Sequence, residues 1–178
     1  MNRLLLLLLL VWISTPSVNA ALTGFMKVGD IKGESTSSDH EEEIDIHDVS
    51  WVISRPLEVE GSVRTRGNAQ FGDLVATHRI DKATPKLFEA CANGASFPEV
   101  IVTFRKDSGE AHLDYLVITL TNVTVTSYEI LGGGTAQVPD AKVGFAYEKL
   151  KVVYNYFDES GSFVGIVETS WDVVQATP

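Results

Sequence analysis

The sequence holds one cysteine, Cys91. That excludes an intrachain disulfide, so stability must come from packing, and Cys91 reads as a small buried residue on a helix face rather than a redox or nucleophilic thiol. Positive charge is scarce too: Lys+Arg number 14 against Asp+Glu 24, for a formal net charge of −10 and a pI near 4.8. This balance excludes nucleic acid and anionic membrane as partners. Only one long hydrophobic run exists, the ten residues Leu4–Ile13, and it is too short to span a bilayer.

The four histidines are not arranged as ligands. His40 and His47 lie among Asp39, Glu41, Glu42, Glu43, Asp45 and Asp48, but their spacing fits neither zinc nor calcium-loop patterns. The stretch therefore reads as a solvated polar loop. His78 and His112 sit in strand-like contexts and read as surface or satisfied residues. Gly161-Ser-Phe-Val-Gly165 puts its serine at the wrong place for a nucleophile elbow. Gly29–Gly33 lacks the lysine of a phosphate loop, and Gly132–Gly134 lacks the third spaced glycine of a dinucleotide fingerprint. Asn122-Val-Thr124 is a glycosylation sequon, but it falls inside a strand. Trp51 and Trp171 read as core residues before they read as an aromatic platform. No catalytic residue, cofactor or metal is expected, and the chain is not read as an enzyme.

The N-terminus has the layout of an export signal. Arg3 precedes the apolar run, Ser14–Asn19 is polar and contains Pro16, and Val18-Asn19-Ala20 supplies small residues for cleavage. Residues 1–20 are expected to be a signal peptide and 21–178 the mature domain, secreted or periplasmic, with no membrane contact after cleavage. Removing Arg3 takes the net charge from −10 to −11.

With 44% hydrophobic residues, the remainder reads as one β domain able to bury a sizeable core. Phe25–Val28 is a first apolar run, bounded by Gly29 and Gly33, and Ile44, Ile46 and Val49–Ile53 resume a strand after the polar Ser35–Glu43. In Phe97–Lys106, Val100, Val102 and Phe104 share one face, with Ile101, Thr103 and Arg105 on the other. Ala111–Ile130 changes phase, from Leu116, Ile118 and Leu120 to Val123 and Val125, which predicts a bulge or bend near Thr121-Asn122. Lys142–Phe157 reads as a second long strand, joined through the turn Asp158–Ser162 to Phe163–Val174. Asp81–Gly94 predicts the one helix, with Thr84 as cap, Pro85 in the first turn, and Leu87, Phe88, Cys91 and Ala92 on the packed face. Arg55–Gly72, with three glycines and three arginines, has no core of its own and is a candidate functional loop.

GDIKGES, EEEIDI, DKATPKLFEACANG, FPEVIVTFRK, YLVITLTNVTVTSY, FAYEKLKVVYNY and the terminal Trp171-Asp172 closely resemble the Hcp family of bacterial type VI secretion, in order and spacing, from about Phe25 to Asp172. The resemblance implies a small β-barrel of two packed antiparallel sheets with one side helix and an extended loop. It implies a non-enzymatic subunit that closes into hexameric rings, stacks into a tube and can carry effector cargo. Self, effector proteins and other secretion-machine components are then the expected partners. Arg55–Gly72 matches the family's extended loop but is richer in charge, which implies weak stacking.

Opposite charges on separate patches suit a head-to-tail contact. Lys32, Glu34, Ser35, Glu42 and Glu43 on the acidic loop, with Arg55, Arg64, Arg66 and Asn68 on the extended segment, are the residues expected at ring and stacking interfaces. The signal peptide departs from a tube subunit that assembles in the cytoplasm. A monomeric secreted β-barrel binding module is the alternative reading.

Overall fold

The structure is a computed structural model. It describes residues 23–60, 63–108, 111–132 and 138–177, with the side chains of 58–66 and 107–111 outside the description. The expected signal peptide and part of Gly132–Gly134 lie outside the described residues.

The strands are β1 (Thr23–Val28), β2 (Ile44–Ser50), β3 (Ile53–Ser54), β4 (Leu57–Glu60), β5 (Val63–Arg66), β6 (Gln70–Phe71), β7 (Leu74–Arg79), β8 (Ser96–Ser108), β9 (Ala111–Leu131), β10 (Asp140–Ala146), β11 (Lys149–Phe157) and β12 (Phe163–Asp172). Among the described residues one helix, α1 (Thr84–Asn93), follows β7. The main sheet runs β10-β7-β2-β1-β8-β9-β11-β12, and a further pairing of β10 with β9 closes it into a barrel. The two packed sheets implied by the resemblance are thus opposite walls of a single sheet that curls and bonds to itself.

Inside lie Met26, Val28, Ile44, Leu74, Val100, Val102, Leu120, Val123, Val143 and Phe145, all fully buried. Alternation explains the set: paired residues on neighbouring strands share a face, so Val102 stands beside Met26 on one side and Ile118 on the other.

The phase change in β9 is a bend rather than a bulge, since the β8–β9 register is the same on both sides of it. Asn122 adopts φ 52, and burial passes from Ile118 and Leu120 to Val123 and Val125. The β8–β9 register skips Asn122 and its opposite number, Pro98, which has no N–H to give a ladder. The supposed single strand Lys142–Phe157 is two strands, but both lie along the same edge of β9: Ala146 pairs with Thr124 and Lys149 with Thr121. The interruption at Tyr147-Glu148 is the point where the outer neighbour changes from β7 to β12.

The helix differs from its forecast in two respects. Thr84 is not the N-cap; Ala83 is, without a side-chain cap bond. The entry is held instead by Asp81, whose Oδ1 accepts from the Ala83 N–H, while Thr84 Oγ1 accepts from the Asp81 N–H. The packed face is Ala83, Leu87 and Ala90, with Cys91 half-buried at its border. Phe88 and Ala92 face out, because the helix phase is set by Ala83 sinking into the core just before the first turn. The C-terminus ends as expected, at Gly94 with φ 67.

Candidate interaction site

The acidic loop between β1 and β2 is not loosely solvated. It folds back on itself through backbone bonds: the Gly33 N–H donates to the Glu42 carbonyl at 2.7 Å, Ser35 to Glu43 at 3.0 Å and Glu42 to Ser35 at 3.0 Å. A side chain on Gly33 would collide with the Glu43 carbonyl, so the close crossing of the two loop arms requires glycine there. Glu42 turns at φ 61 to bring the chain into β2.

The loop is then pinned to the barrel wall by buried polar side chains. His40, 7% exposed, stacks on Phe25 with ring centroids 4.1 Å apart. Its Nδ1 lies 2.9 Å from Glu43 and its Nε2 3.2 Å from Asp114 on β9. Arg105, 5% exposed, donates from Nε to Asp114 at 2.8 Å, and from its terminal nitrogens to Ser37 at 2.8 Å and Asp39 at 3.2 Å. Its guanidinium also sits 5.2 Å from the centre of the Phe25 ring. Burial by itself would pull the Arg105 pKa down, but the bonds and charge of Asp114 and Asp39 outweigh it and hold it above the usual value. His40, expected on a solvated polar loop, is a fastener. Nothing local in the sequence marks this: Arg105 sits in β8 on a face with Ile101 and Thr103, and the loop residues that cover it, Ser37 and Asp39, are distant in the chain.

Residues expected at interfaces divide accordingly. Lys32, Glu34 and Glu42 are exposed and grouped beside the start of α1. Lys32 Nζ lies 3.0 Å from Glu42 and Lys82 Nζ 3.6 Å from it, and the bond and charge of Lys32 hold the Glu42 pKa below its ordinary value. Glu34 accepts the Lys82 N–H at 3.1 Å. Ser35 is buried and Glu43 half-buried against His40, so both point into the molecule.

A cleft of about 710 Å³ beside the group is lined by Glu34, Asp45, His47, Arg79, Asp81 and Asp140, among others. Burial raises the Asp81 pKa and lowers that of the neighbouring His78. His78 is satisfied, with Nδ1 2.7 Å from the Arg79 carbonyl and Nε2 3.4 Å from the Tyr128 hydroxyl. No group of three or more His, Cys, Asp or Glu side chains among the described residues is arranged to hold a metal.

Arg55, Arg64, Arg66 and Asn68 lie elsewhere, on a two-stage ribbon. β3 pairs with β6 at its root, and β4 pairs with β5 further out, Leu57 opposite Arg66 and Glu60 opposite Val63. Arg55 and Asn68 are exposed, while the side chains of Arg64 and Arg66 fall outside the description. Val52, Ile53 and Leu57 are exposed as well, so the arm presents apolar and cationic groups together.

Among the described residues the arm is anchored at its base. Phe71 stacks on Trp171 with centroids 6.1 Å apart, and Trp51 Nε1 donates to the Tyr147 hydroxyl at 2.7 Å. Both tryptophans therefore pack at the arm's root rather than forming an open platform.

The sequence matches known proteins over most of this fold. A family profile described as type VI secretion system effector, Hcp, matches residues 25–154. The chain is 35% identical over 161 residues to protein Hcp1 of Pseudomonas aeruginosa, covering 87% of this chain and 97% of that one. Among solved structures, Hcp1 from Salmonella typhimurium superposes with a TM-score of 0.70 at 26% identity, covering 89% of this chain and 99% of the other. A type six secretion system protein shares the fold at a TM-score of 0.82 and 24% identity, covering 88% of this chain and 99% of that one. The family profile and the relative at 35% identity together show that this chain belongs to the Hcp family.

Proposed function

We propose that this chain is a structural subunit that closes into hexameric rings and stacks weakly into a tube of the type VI secretion kind, with effector proteins as lumen cargo. The observation that carries this reading is the arm. Among its described side chains it exposes Val52, Ile53 and Leu57 beside Arg55, and its root is tied to the barrel by Phe71 on Trp171. A segment so constructed gains its stability by contact with another molecule. Lys32, Glu34 and Glu42, with Arg64, Arg66 and Asn68 of the arm, are the groups proposed to meet between subunits, with Ser35 and Glu43 holding the loop in shape behind them.

Residues 1–20 act as an export signal in this reading, and 21–178 as the domain that assembles outside the cytoplasm. Subunits carrying a net charge of −11 after removal of Arg3 repel one another, and screening reaches only about 8 Å at physiological salt. Stacking is therefore expected to strengthen as salt rises. Electron microscopy and sedimentation of the purified chain at low and high salt test the reading: rings at both, with longer stacks at high salt, are the expected result. A strictly monomeric protein at high concentration in both conditions overturns it and leaves a monomeric binding module.

A further inference from the structure

The core-facing side of the sheet runs past the end of the barrel. Along β11 it carries Leu150, Val152, Tyr154 and Tyr156, which pass from buried through half-buried to exposed. Leu150, Val152 and Tyr154 pair with Leu120, Ile118 and Leu116 of β9, so they share the face that lines the core. On the other side Tyr154 pairs with Val167 of β12, and Tyr156 with Gly165. None of these residues is charged, and Tyr154, Tyr156 and Val167 are 48%, 41% and 64% exposed. Gly165 leaves room for the Tyr156 ring, since a Cβ there would stand 2.6 Å from its hydroxyl. An aromatic and aliphatic surface is thus shaped and left uncovered.

The chain enters β1 beside the same surface. One row of paired residues runs from Gly24 through Phe104, Leu116 and Tyr154 to Val167, strand by neighbouring strand. At about 4.8 Å per strand spacing, Gly24 stands at most roughly 19 Å from Val167. Direction agrees as well. Thr23 pairs with Arg105 and Arg105 with Asp114, whose carbonyl accepts from Asn155 Nδ2 at 2.8 Å. The chain before Thr23 therefore leaves the barrel at the end where Tyr156 and Gly165 stand. Residues 1–22 lie outside the described residues, but their sequence is the uncharged run Leu4–Ile13 followed by the nine residues Ser14–Leu22. Nine residues span at most roughly 30 Å, so the run reaches the exposed face with slack to spare.

We propose that, in a copy that folds with its leader attached, Leu4–Ile13 seats on the Tyr154–Tyr156–Val167 face of its own β11–β12 hairpin. Both surfaces are apolar and uncharged, so the contact takes both from water and strips no ion of its solvent. The tether decides the occupant. A linker of this length gives a local concentration on the order of millimolar, which a second molecule at micromolar concentration does not match. While attached, the leader withholds this face from other proteins, and removing residues 1–20 uncovers it. The inference goes beyond the ring and export readings and needs neither, because it concerns a single uncleaved chain.

Disulfide trapping in the full chain tests it, with Cys91→Ala removing the native thiol and intact mass confirming that the leader is present. Leu8→Cys with Val167→Cys should close an intramolecular disulfide at least about tenfold faster than Leu8→Cys with Ile130→Cys. Val167 and Ile130 are both exposed, but Ile130 lies at the other end of β9. Adding Leu6→Asp and Leu10→Asp should remove that advantage. Equal rates at the two positions, or an advantage that survives the aspartates, overturns the proposal. Disulfides that form only between molecules, faster at higher protein concentration, would put a second copy on the face and overturn it as well. If circular dichroism shows that a cysteine pair disturbs the barrel, hydrogen exchange on the otherwise unaltered full chain decides. Its amides across Gly165–Val167 should exchange about tenfold slower than in the Leu6→Asp, Leu10→Asp chain, and equal exchange refutes the contact. Failure of the ring or export reading leaves these rates unchanged, so the outcomes are separable.

Discussion

Replacing Arg105 by methionine removes the centre of the polar cluster while keeping much of the side chain's volume against Phe25. Three donated bonds disappear, to Asp114, Ser37 and Asp39. They are not equal. Asp39 is 60% exposed and can turn to water, so that bond contributes only about 0–1 kcal/mol. The Asp114 bond matters more, because its carboxylate would remain half-sheltered and close to Glu43 through His40, with the guanidinium charge gone. Breaking a buried pair on one side costs about 3–5 kcal/mol, which partial exposure of Asp114 reduces. A total loss of roughly 2–4 kcal/mol follows, or a melting temperature lower by roughly 5–15 °C for a domain of this size. The melt should be followed by circular dichroism at one fixed protein concentration, since assembly would shift it. Hydrogen exchange at the amides of Gly33, Ser35 and Glu42 should accelerate in parallel, because these bonds close the loop that Arg105 holds. A melting temperature within about 2 °C of the parent, with those amides still protected, would refute the claim that Arg105 fastens the loop.

Gly33→Ala should cost roughly 1–3 kcal/mol in urea unfolding, because the added methyl meets the Glu43 carbonyl and the crossing of the loop arms must open. Stability should also fall as the solution is acidified below about pH 6.5. Burial holds the His78 pKa below its ordinary 6.5, so the unfolded chain takes up a proton that the folded one resists, and the stability present above 6.5 is lost as pH falls through the folded value. Asp81 works in the opposite sense, since burial raises its pKa from 3.8, but that contribution belongs to the range just above 3.8. Chemical unfolding between pH 7.5 and 5.5 checks the slope, which should flatten in His78→Asn. Deleting Val63–Asn68 should remove ring stacking and leave the barrel's melting transition in place, because β5 pairs only with β4 among the described strands. Intact-mass analysis of exported protein should show a chain beginning at Ala21; a retained N-terminus would argue for an anchor.

The pattern of the barrel was legible because its strands carry strong periodicity. The alternation of Val100, Val102 and Phe104, and the phase slip between Leu120 and Val123, fix which side chains turn inward. The polar cluster was not legible, because Arg105 and its partners Ser37, Asp39 and Asp114 are brought together by folding and not by spacing. Read locally, Ser35–Glu43 has no apolar side chain and looks solvated. What it covers is a polar and aromatic surface on β1 and β8, and polar side chains bury well when each finds a partner. The helix face failed for a related reason: its phase is set by Ala83, which lies before the first helical residue and carries almost no hydrophobic signal of its own.

One strand accounts for both the closure of the barrel and the exposed hairpin beyond it. β9 carries two neighbours on a single edge: β10 from Ala146 opposite Thr124 onward, and β11 from Lys149 opposite Thr121. The changeover is held at Asn122, whose Nδ2 donates to Glu148 at 2.7 Å, while the Glu148 N–H donates to the Thr121 carbonyl at 3.1 Å. Glu148 is one of the two residues interrupting β10 and β11, so the bend in one strand and the break in the other are bonded to each other. On the β10 side of this point the sheet meets β7 and closes; on the β11 side its neighbour is β12, which pairs with β11 alone among the described strands. A closed barrel has no edges to guard, but this sheet keeps one at β12. The free edge and the uncovered Tyr154–Val167 face follow from the same junction, so the geometry that finishes the barrel also leaves an apolar face exposed beyond it.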